Sequence, residues 1–371
     1  MNLSITKEQM LLGLQAVQNI VGTRTTLPVL SNALLRAEGN HLELTTTDLD
    51  VSVSSTVEAT VKRPGATSLP VRRLFSIARE VASPMLDIEV DDRHVCSLQA
   101  GPSFFRIRGL APEEFPPLAS FKDERKVVLP QEKMRQMVCR TAFAMSTEES
   151  RYVLNGVFMT FEAHKVTMVA TDGRRLALCE QEMDVPAKSQ GQLIVPAKAV
   201  AELERLLQDK GEVEIHYGES RASFALRDDK GQNIVIVTKL VEGTYPNYRQ
   251  VIPTQTKERV TLPREEFLHA LLRAKIMTSE KQNSVKLQFT KNTLAISANT
   301  PDVGEARETL AINYKGADLA IAFNPDYLLD PLKALTEEEI VFELTDELSP
   351  GVIKINGPFV YVVMPMRLSQ S

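Results

Sequence analysis

The sequence predicts an α+β protein built from three tandem copies of one domain, each combining two helices with antiparallel sheet. A strand end followed by a helix recurs at ITKEQMLLGLQAV, LPQEKMRQMVCRT and LPREEFLHALLRA. A second helix recurs within each copy at LPVRRLFSIA, VPAKAVAELE and FNPDYLLDPL. The period of about 125 residues is the length of a domain and far exceeds the unit of a solenoid.

The first helix of each copy carries apolar residues at i, i+4 and i+7, the spacing of a face that packs on a sheet. The equivalent sets are Met10, Leu14 and Val17; Met134, Val138 and Thr141; and Phe267, Leu271 and Ala274.

The strands are predicted from period-two alternation, as in HLELTTTD, DVSVSSTVEATV and EVEIHY. They follow one another too closely for crossover helices, which favours antiparallel pairing with helices on one face. We predict that each copy repeats its own order of strand, helix and several strands. Proline-rich and charged segments, APEEFPPLASFKDERK and VEGTYPNYRQVIPTQTKE, separate the copies. We therefore predict domains at 1–123, 124–256 and 257–371.

The composition is that of a soluble globular chain: 371 residues, 43% hydrophobic, 25% charged, with a net charge of −5. The start MNLSITKEQM lacks the features of a signal peptide, and no apolar run reaches the length of a membrane span. Cys96, Cys139 and Cys179 are far apart and lack CxxC spacing, which predicts free packing thiols. These features predict a cytoplasmic protein.

Motifs of nucleotide-binding or hydrolytic enzymes do not occur: the sequence contains no GxxxxGK[ST], GxGxxG, GxSxG or HExxH. The five histidines show no ligand spacing. Asp48 and Asp50 are the best catalytic candidates, because two carboxylates on one strand face can hold Mg²⁺. A metal-dependent nuclease or polymerase therefore stays an alternative, beside a solvated strand end.

Basic residues recur at equivalent helix positions. Arg79, Arg205 and Lys333 correspond in the second helices, Arg72 corresponds to Lys198, and Arg140 lies on a first helix. They are typical either of ordinary solvated helices or of a nucleic-acid surface on a chain that is acidic overall. A third possibility is a scaffold that binds only proteins, which would not need basic helix faces.

Several long motifs resemble the bacterial DNA polymerase III beta subunit family, the sliding clamps. They are TLPVLSN at Thr26, RYVLNG at Arg151, VATDGRRLA at Val169, TKLVEGTYPNYR at Thr238 and YVVMPMRL at Tyr361. The resemblance extends from the first residue to Leu368. It implies a non-catalytic homodimer without a cofactor, two chains of three domains closing head to tail into a ring. Such a ring encircles double-stranded DNA without reading its sequence. It tethers the replicative polymerase, and it binds the clamp loader and repair proteins through a short peptide motif.

The resemblance also implies site residues. Arg24 and Tyr152 match DNA contacts, which would act beside the basic helix residues, although Glu148 and Glu149 depart from the common pattern. The implied peptide cleft comprises Leu154, Thr171, Gly173, Arg174, Leu176, Pro246, Val251, Tyr327, Met364, Pro365, Met366, Arg367 and Leu368. Gln250 and the stretch from Lys281 to Asn283 differ from common family members at its rim.

A head-to-tail ring also predicts a joint between chains, because three domains make half of a six-domain ring. We predict that Phe105 and Ile107, on the last strand of the first domain, meet Ile276 and Met277 of the third domain of the other chain.

Overall fold

The computed structural model describes residues 1–22, 27–117, 125–227 and 233–367. The helices in these ranges are α1 Lys7–Val17, α2 Val71–Glu80, α3 Gln131–Thr141, α4 Ala197–Leu206, α5 Arg264–Lys275 and α6 Pro325–Ala334. The strands of the first sequence copy are β1 Asn2–Thr6, β2 Asn32–Glu38, β3 His41–Thr47, β4 Val51–Glu58, β5 Thr60–Arg63, β6 Gly65–Pro70, β7 Met85–Val90, β8 Val95–Ala100 and β9 Ser103–Arg108.

The other two copies repeat this order without an equivalent of β5. The second contains β10 Arg125–Pro130, β11 Gly156–Glu162, β12 Lys165–Thr171, β13 Arg175–Glu182, β14 Gly191–Pro196, β15 Glu212–Tyr217, β16 Arg221–Arg227 and β17 Asn233–Lys239. The third contains β18 Glu258–Pro263, β19 Val285–Thr290, β20 Thr293–Thr300, β21 Gly304–Ala311, β22 Leu319–Phe323, β23 Glu339–Leu344, β24 Gly351–Lys354 and β25 Phe359–Val363. Each copy is thus strand, helix and three-strand meander, twice. The predicted α+β fold and inner repeat are confirmed.

Four helices begin directly after a proline that ends a strand: Pro70, Pro130, Pro196 and Pro263. Proline fixes φ near the helical value and lacks an N–H, so it suits the point where strand pairing stops and a helix starts. At α6 the cap is instead Asn324, whose side chain accepts a hydrogen bond from the Asp326 N–H at 2.9 Å.

The apolar faces predicted for the first helices are the buried ones. Met10, Leu14 and Val17 of α1 are fully buried, as are their counterparts Phe267 and Leu271 of α5. Each such side chain contributes ~1.5–3 kcal/mol by leaving water. Cys96 and Cys179 are buried free thiols, and burial raises the pKa of Cys96 to about 12 and that of Cys179 to about 11.

The chain divides into two compact units, Met1–Arg135 with Ala201–Leu240, and Gln136–Val200 with Val241–Ser371. The first unit contains a sheet of order β5-β1-β7-β8-β9 and a sheet of order β10-β15-β16-β17-β4-β3-β2-β6. The second contains a sheet of order β14-β11-β12-β13-β25-β24-β23-β18 and a sheet of order β21-β20-β19-β22.

Each eight-stranded sheet combines strands from two sequence copies. In the first unit β4 pairs with β17, from Val51 opposite Thr238 to Thr56 opposite Asn233. In the second unit β13 pairs with β25, over Arg175–Cys179 of the former strand. Neighbouring copies are therefore joined by antiparallel backbone hydrogen bonds. The domain limits near 123 and 256 stay a prediction.

Arg205 ties α4 to α1. Its guanidinium donates hydrogen bonds to the carbonyl oxygens of Gln15, at 3.0 Å, and Ala16, at 2.6 Å, and it pairs with Glu202. The last carbonyls of a helix have no partner within it, so an arginine there satisfies them and complements the helix dipole. The expectation that Arg205 lies on a freely solvated helix face is wrong.

We predict that Arg205→Ala lowers the Tm, because it strips two carbonyls and the nearly buried Glu202 carboxylate of their partner. The expected loss is ~2–3 kcal/mol, or roughly 5–10 °C in a unit of this size. Arg79→Ala is the matched control. The side chain of Arg79 is 60% exposed, so its loss should shift the Tm by less than about 2 °C. Equal shifts in differential scanning calorimetry would contradict a structural role for Arg205.

Candidate functional site

An apolar cluster covers the junction of β13 and β25 in the second unit. Its buried members are Phe158, Val169, Leu176, Leu178, Ile194, Tyr245, Tyr248 and Val362. Partly buried residues packed against it are Val153, Leu154, Val241, Ile252 and Val360. Tyr245 stacks on Phe158 with ring centroids 4.8 Å apart, and Tyr248 meets the same ring edge-on. Because alternate residues of a strand share a face, Leu176 and Leu178 of β13 lie side by side here.

Of the predicted cleft residues, Leu154 and Leu176 belong to this cluster. Pro246 directly follows the cluster residue Tyr245, and Val251 directly precedes Ile252. Val251 is 54% exposed, Met364 45% and Met366 39%. Such large apolar surfaces suit contact with a partner, since methionine re-packs easily around different ligands.

The chain after β25 runs beside the turn that connects β12 and β13. The Met364 N–H donates to the Arg174 carbonyl oxygen at 2.9 Å, and the Met366 N–H donates to the Ala322 carbonyl oxygen at 2.7 Å. A side-chain hydrogen bond to Tyr327 raises the pKa of Arg174. The structure thus brings Arg174, Tyr327 and Met364 together. Pro365 is half-buried and Arg367 exposed. Leu368 lies outside the described residues.

The turn itself is held by side chains. Thr171 Oγ1 accepts from the Gly173 N–H at 3.1 Å, and Asp172 Oδ1 accepts from the N–H groups of Arg174 and Arg175 at 2.9 and 3.0 Å. Gly173 has φ of +86°, a left-handed conformation that glycine adopts without strain.

Arg175, which sequence reasoning did not single out, anchors this turn. Its side chain is only 11% exposed, pairs with Asp172 and Asp330, and donates to the Phe143 carbonyl oxygen at 2.7 Å. Its guanidinium also lies 4.6 Å from the centre of the Tyr327 ring, a cation–π contact. Burial disfavours its charge, but Tyr361 and the two carboxylates outweigh burial and raise the pKa of Arg175. The second arginine of the DGRR motif was the available signal.

The predicted basic residues fall into two groups. Arg72, Arg79, Lys198 and Lys333 are exposed. Arg72 and the neighbouring Arg73, a residue not predicted, border a pocket of about 510 Å³ whose other lining residues are Val21, Gly22, Ser31, Pro70 and Ser76. Arg72 also donates to the Val21 carbonyl oxygen at 2.9 Å. Two guanidinium groups facing one pocket suit a phosphate oxygen.

The prediction that Arg140 lies on a solvated basic helix face is wrong, as it is for Arg205. Its side chain is 13% exposed and pairs with Glu337 at 2.5 Å. An arginine that is itself nearly buried in an ion pair is costly to withdraw for another anion. Tyr152 is 60% exposed, as a contact residue requires. Arg24 lies outside the described residues.

Of the two joint residues predicted on β9, one is buried within the chain and the other is partly exposed. Ile107 is 3% exposed and faces the interior, Phe105 is half-buried, and Phe104 is 55% exposed. The outward face of the strand therefore carries Phe104, because side chains alternate with a period of two. On the other side of the predicted joint, Ile276 is 69% exposed and Met277 half-buried.

Asp48 and Asp50 do not form a carboxylate pair. Asp48 Oδ1 accepts hydrogen bonds from the backbone of its own turn, and Asp50 pairs with Lys239 at 2.8 Å. In the described ranges no three His, Cys, Asp or Glu side chains are placed to hold a metal ion. No helix of the described part of the chain is long and apolar enough to cross a membrane.

Comparison with known proteins gives three consecutive family matches. Residues 1–119, 128–247 and 249–367 match the N-terminal, central and C-terminal domains of the DNA polymerase III beta subunit.

Whole proteins and solved structures agree with these matches. The beta sliding clamp of Chlamydia pneumoniae is 35% identical over 96% of both chains, and that of Pseudomonas aeruginosa is 36% identical over 99% of this chain and 100% of its own. A crystal structure of the Pseudomonas aeruginosa sliding clamp bound to griselimycin superposes with a TM-score of 0.93 at 35% identity, covering 99% of this chain and all of that one. The clamp of Bacillus subtilis gives 0.92 at 28% identity, with 99% of each chain covered. The chain therefore belongs to the DNA polymerase III beta subunit family, the non-catalytic beta sliding clamps that serve the replicative DNA polymerase.

Proposed function

We propose that two copies of this chain close head to tail into a ring around duplex DNA. The observation that carries this proposal is the repeated junction between copies. In both eight-stranded sheets, the third strand of one copy's first meander pairs with the last strand of the next copy: β4 with β17, and β13 with β25.

By the same rule, two strands of the described residues lack a partner from a neighbouring copy on one side. In the third copy the strand equivalent to β4 and β13 is β21, and in the first copy the strand equivalent to β17 and β25 is β9. Both strands lie at sheet edges. Exposed edges invite pairing, and natural proteins cover or close them. A β21–β9 junction with a second copy would use both edges and, made twice, would close a ring of six domains.

Exposed apolar side chains support this junction. Phe104 lies on the outward face of β9, and Ile276 directly follows α5. Leu272 within α5 is 37% exposed, and Val303, directly before β21, is 48% exposed. Exposed apolar side chains thus lie on β9 and beside α5 and β21, where a partner chain is proposed to pack.

We expect Phe104→Asp with Ile276→Asp to give monomers, because two charges per joint would be buried against apolar surface. Sedimentation velocity should change from a dimer to a monomer. Leu348→Asp, at a side chain that is 67% exposed and outside the proposed joint, is the control and should remain a dimer. A dimer that survives both joint changes would refute this interface.

On the DNA side, we propose that Arg72, Arg79, Lys198 and Lys333 contact phosphates, with Tyr152 and Arg24. Arg140 and Arg205 leave the predicted set because they are committed to carboxylates and helix carbonyls. Phosphate contacts position a protein without reading bases, and they break and re-form as the protein slides. A ring then holds DNA by topology, and the cytoplasm is the compartment where it would act.

Charge reversal of Arg79, Lys198 and Lys333 to glutamate should impair loading on nicked circular DNA. It should also flatten the dependence of DNA affinity on salt, since the slope scales with the number of phosphates neutralised. Arg36→Glu is the matched control. This arginine is exposed to a similar degree, 53%, and pairs with Glu43 on a strand. Loading of the triple variant at the wild-type rate would contradict the proposal that DNA contacts these helices.

We further propose that the cluster at the β13–β25 junction binds a short apolar segment of the polymerase, the clamp loader or repair proteins. Leu154, Leu176 and Val362 would form its floor, with Val251, Met364 and Met366 as exposed walls. Tyr327 and Arg174 would border it. A pocket with an apolar floor and few polar groups fits anchors of a short peptide.

Met364→Ala with Met366→Ala should raise the Kd of a polymerase-derived peptide at least tenfold, because burying one anchor is worth ~1.5–3 kcal/mol. Calorimetry measures the Kd. Met85→Ala removes a methionine of similar exposure, 42%, from the first unit and should leave the Kd unchanged. An unchanged Kd in the double variant would contradict the assignment of the cleft.

A further inference from the structure

Arg151 lies across the turn of the proposed cleft. Its Nη1 donates to the Asp172 carbonyl oxygen at 2.7 Å, and its Nε pairs with Glu148 at 3.2 Å. The same Nη1 is 2.8 Å from the place where a Cβ on Gly173 would stand, so the guanidinium packs directly on this glycine. The side chain of Arg151 remains 43% exposed. It can therefore still meet a group from solvent.

The turn does not need this arginine to form. The equivalent turn of the first copy has the same hydrogen bonds: Thr47 Oγ1 accepts from the Leu49 N–H at 3.1 Å, and Asp48 Oδ1 accepts from the two following N–H groups at 3.1 and 2.8 Å. Its Leu49 even adopts φ of +82°, close to that of Gly173. The residue equivalent to Arg151 there is Leu27, which has no side-chain donor. Arg151 is thus an addition that the turn of the first copy lacks.

Arg151 also belongs to a second functional segment. It precedes Tyr152, the exposed residue assigned to DNA contact, in the 3₁₀ turn Glu149–Leu154. At Arg151 the backbone leaves helical geometry, with φ of −108° and ψ of 46°. One side chain therefore connects the segment proposed to meet DNA with the turn that borders the cleft.

We propose that Arg151 is a positioning residue that holds the Asp172–Gly173 turn for peptide binding, and that DNA phosphate competes for it. This inference rests on the proposed DNA and cleft assignments. A phosphate oxygen binds a guanidinium more strongly than a neutral carbonyl does. DNA at Tyr152 would draw Arg151 from the Asp172 carbonyl and loosen the turn. Peptide and DNA then weaken each other's binding, by equal factors, as linkage requires.

The experiment measures the Kd of a fluorescein-labelled peptide from the clamp-binding segment of the replicative polymerase, using the full-length dimer with and without a short mixed-sequence duplex at low salt. Arg151→Ala should raise the Kd without DNA about fivefold, the loss of one charge-assisted hydrogen bond at a half-exposed site. Arg151→Lys, which keeps the charge, should recover part of the loss. Arg36→Ala is the control for removal of an exposed paired arginine.

The measurements with duplex DNA distinguish a positioning role of Arg151 from a general effect on protein stability. Wild type should bind peptide more weakly when duplex is present, and Arg151→Ala should show less than half of that change on a logarithmic scale. Gly173→Ala provides an independent test. Its Cβ would collide with Arg151, so its effect should be smaller in the Arg151→Ala background than in wild type.

The outcomes are distinct. Equal peptide affinity for wild type and Arg151→Ala would overturn the positioning role. An equal effect of DNA on both would overturn the competition. A wild-type dimer that binds no peptide would instead refute the cleft itself, and the inference with it.

Discussion

Backbone pairing between sequence copies is the interaction on which the rest of the structure depends. It makes one continuous sheet from two copies, and it brings the end of one copy against a turn of another at a fixed distance. The Lys239 N–H donates to the Asp50 carbonyl oxygen at 2.9 Å, and the Met364 N–H donates to the Arg174 carbonyl oxygen at the same distance. The two junctions therefore share a backbone frame, and the proposed joint between chains is its third use.

The two junctions differ in the side chains that they carry. At equivalent positions of the two junctions, Thr45, Ser52 and Ser54 of the first copy stand where the second copy has Val169, Leu176 and Leu178. The hydroxyl groups of the first copy satisfy one another, with Thr45 Oγ1 2.9 Å from Ser54 Oγ. A surface whose polar groups are already paired offers little to an apolar anchor, whereas the valine and leucine side chains present only apolar atoms to it. Of the two junctions with the same backbone arrangement, only the β13–β25 junction therefore has the side chains for the proposed cleft.

The sequence predicted what is periodic and local. The threefold repeat, the inner repeat and the buried faces of α1 and α5 follow from apolar spacing within a few turns or strand residues. The residues that were missed or misread depend on partners distant in the chain. Arg205 meets Gln15, 190 residues away, and Arg140 meets Glu337, 197 residues away. No helical period reveals such partners. The burial of Ile107 within the chain has a different origin: neighbouring residues of a strand point to opposite faces, so a shift of one position exchanges buried and exposed side chains. Among the residues of the proposed cleft, the motif identified the exposed methionines, but not the buried Arg175 that fixes the turn.

The loss of Arg140 and Arg205 from the basic surface changes the physical account of sliding. The remaining exposed cations, Arg72, Arg79, Lys198 and Lys333, lie on a chain whose net charge is −5. Such a chain attracts phosphate only locally and repels it elsewhere. In the proposed ring, weak contacts suffice because enclosure prevents escape, and fewer contacts leave lower barriers to movement along the duplex. The same weakness makes competition at Arg151 plausible in energetic terms. A contact that DNA makes and breaks continually can yield the guanidinium to the turn whenever a peptide enters the cleft, while the ring stays closed around the duplex.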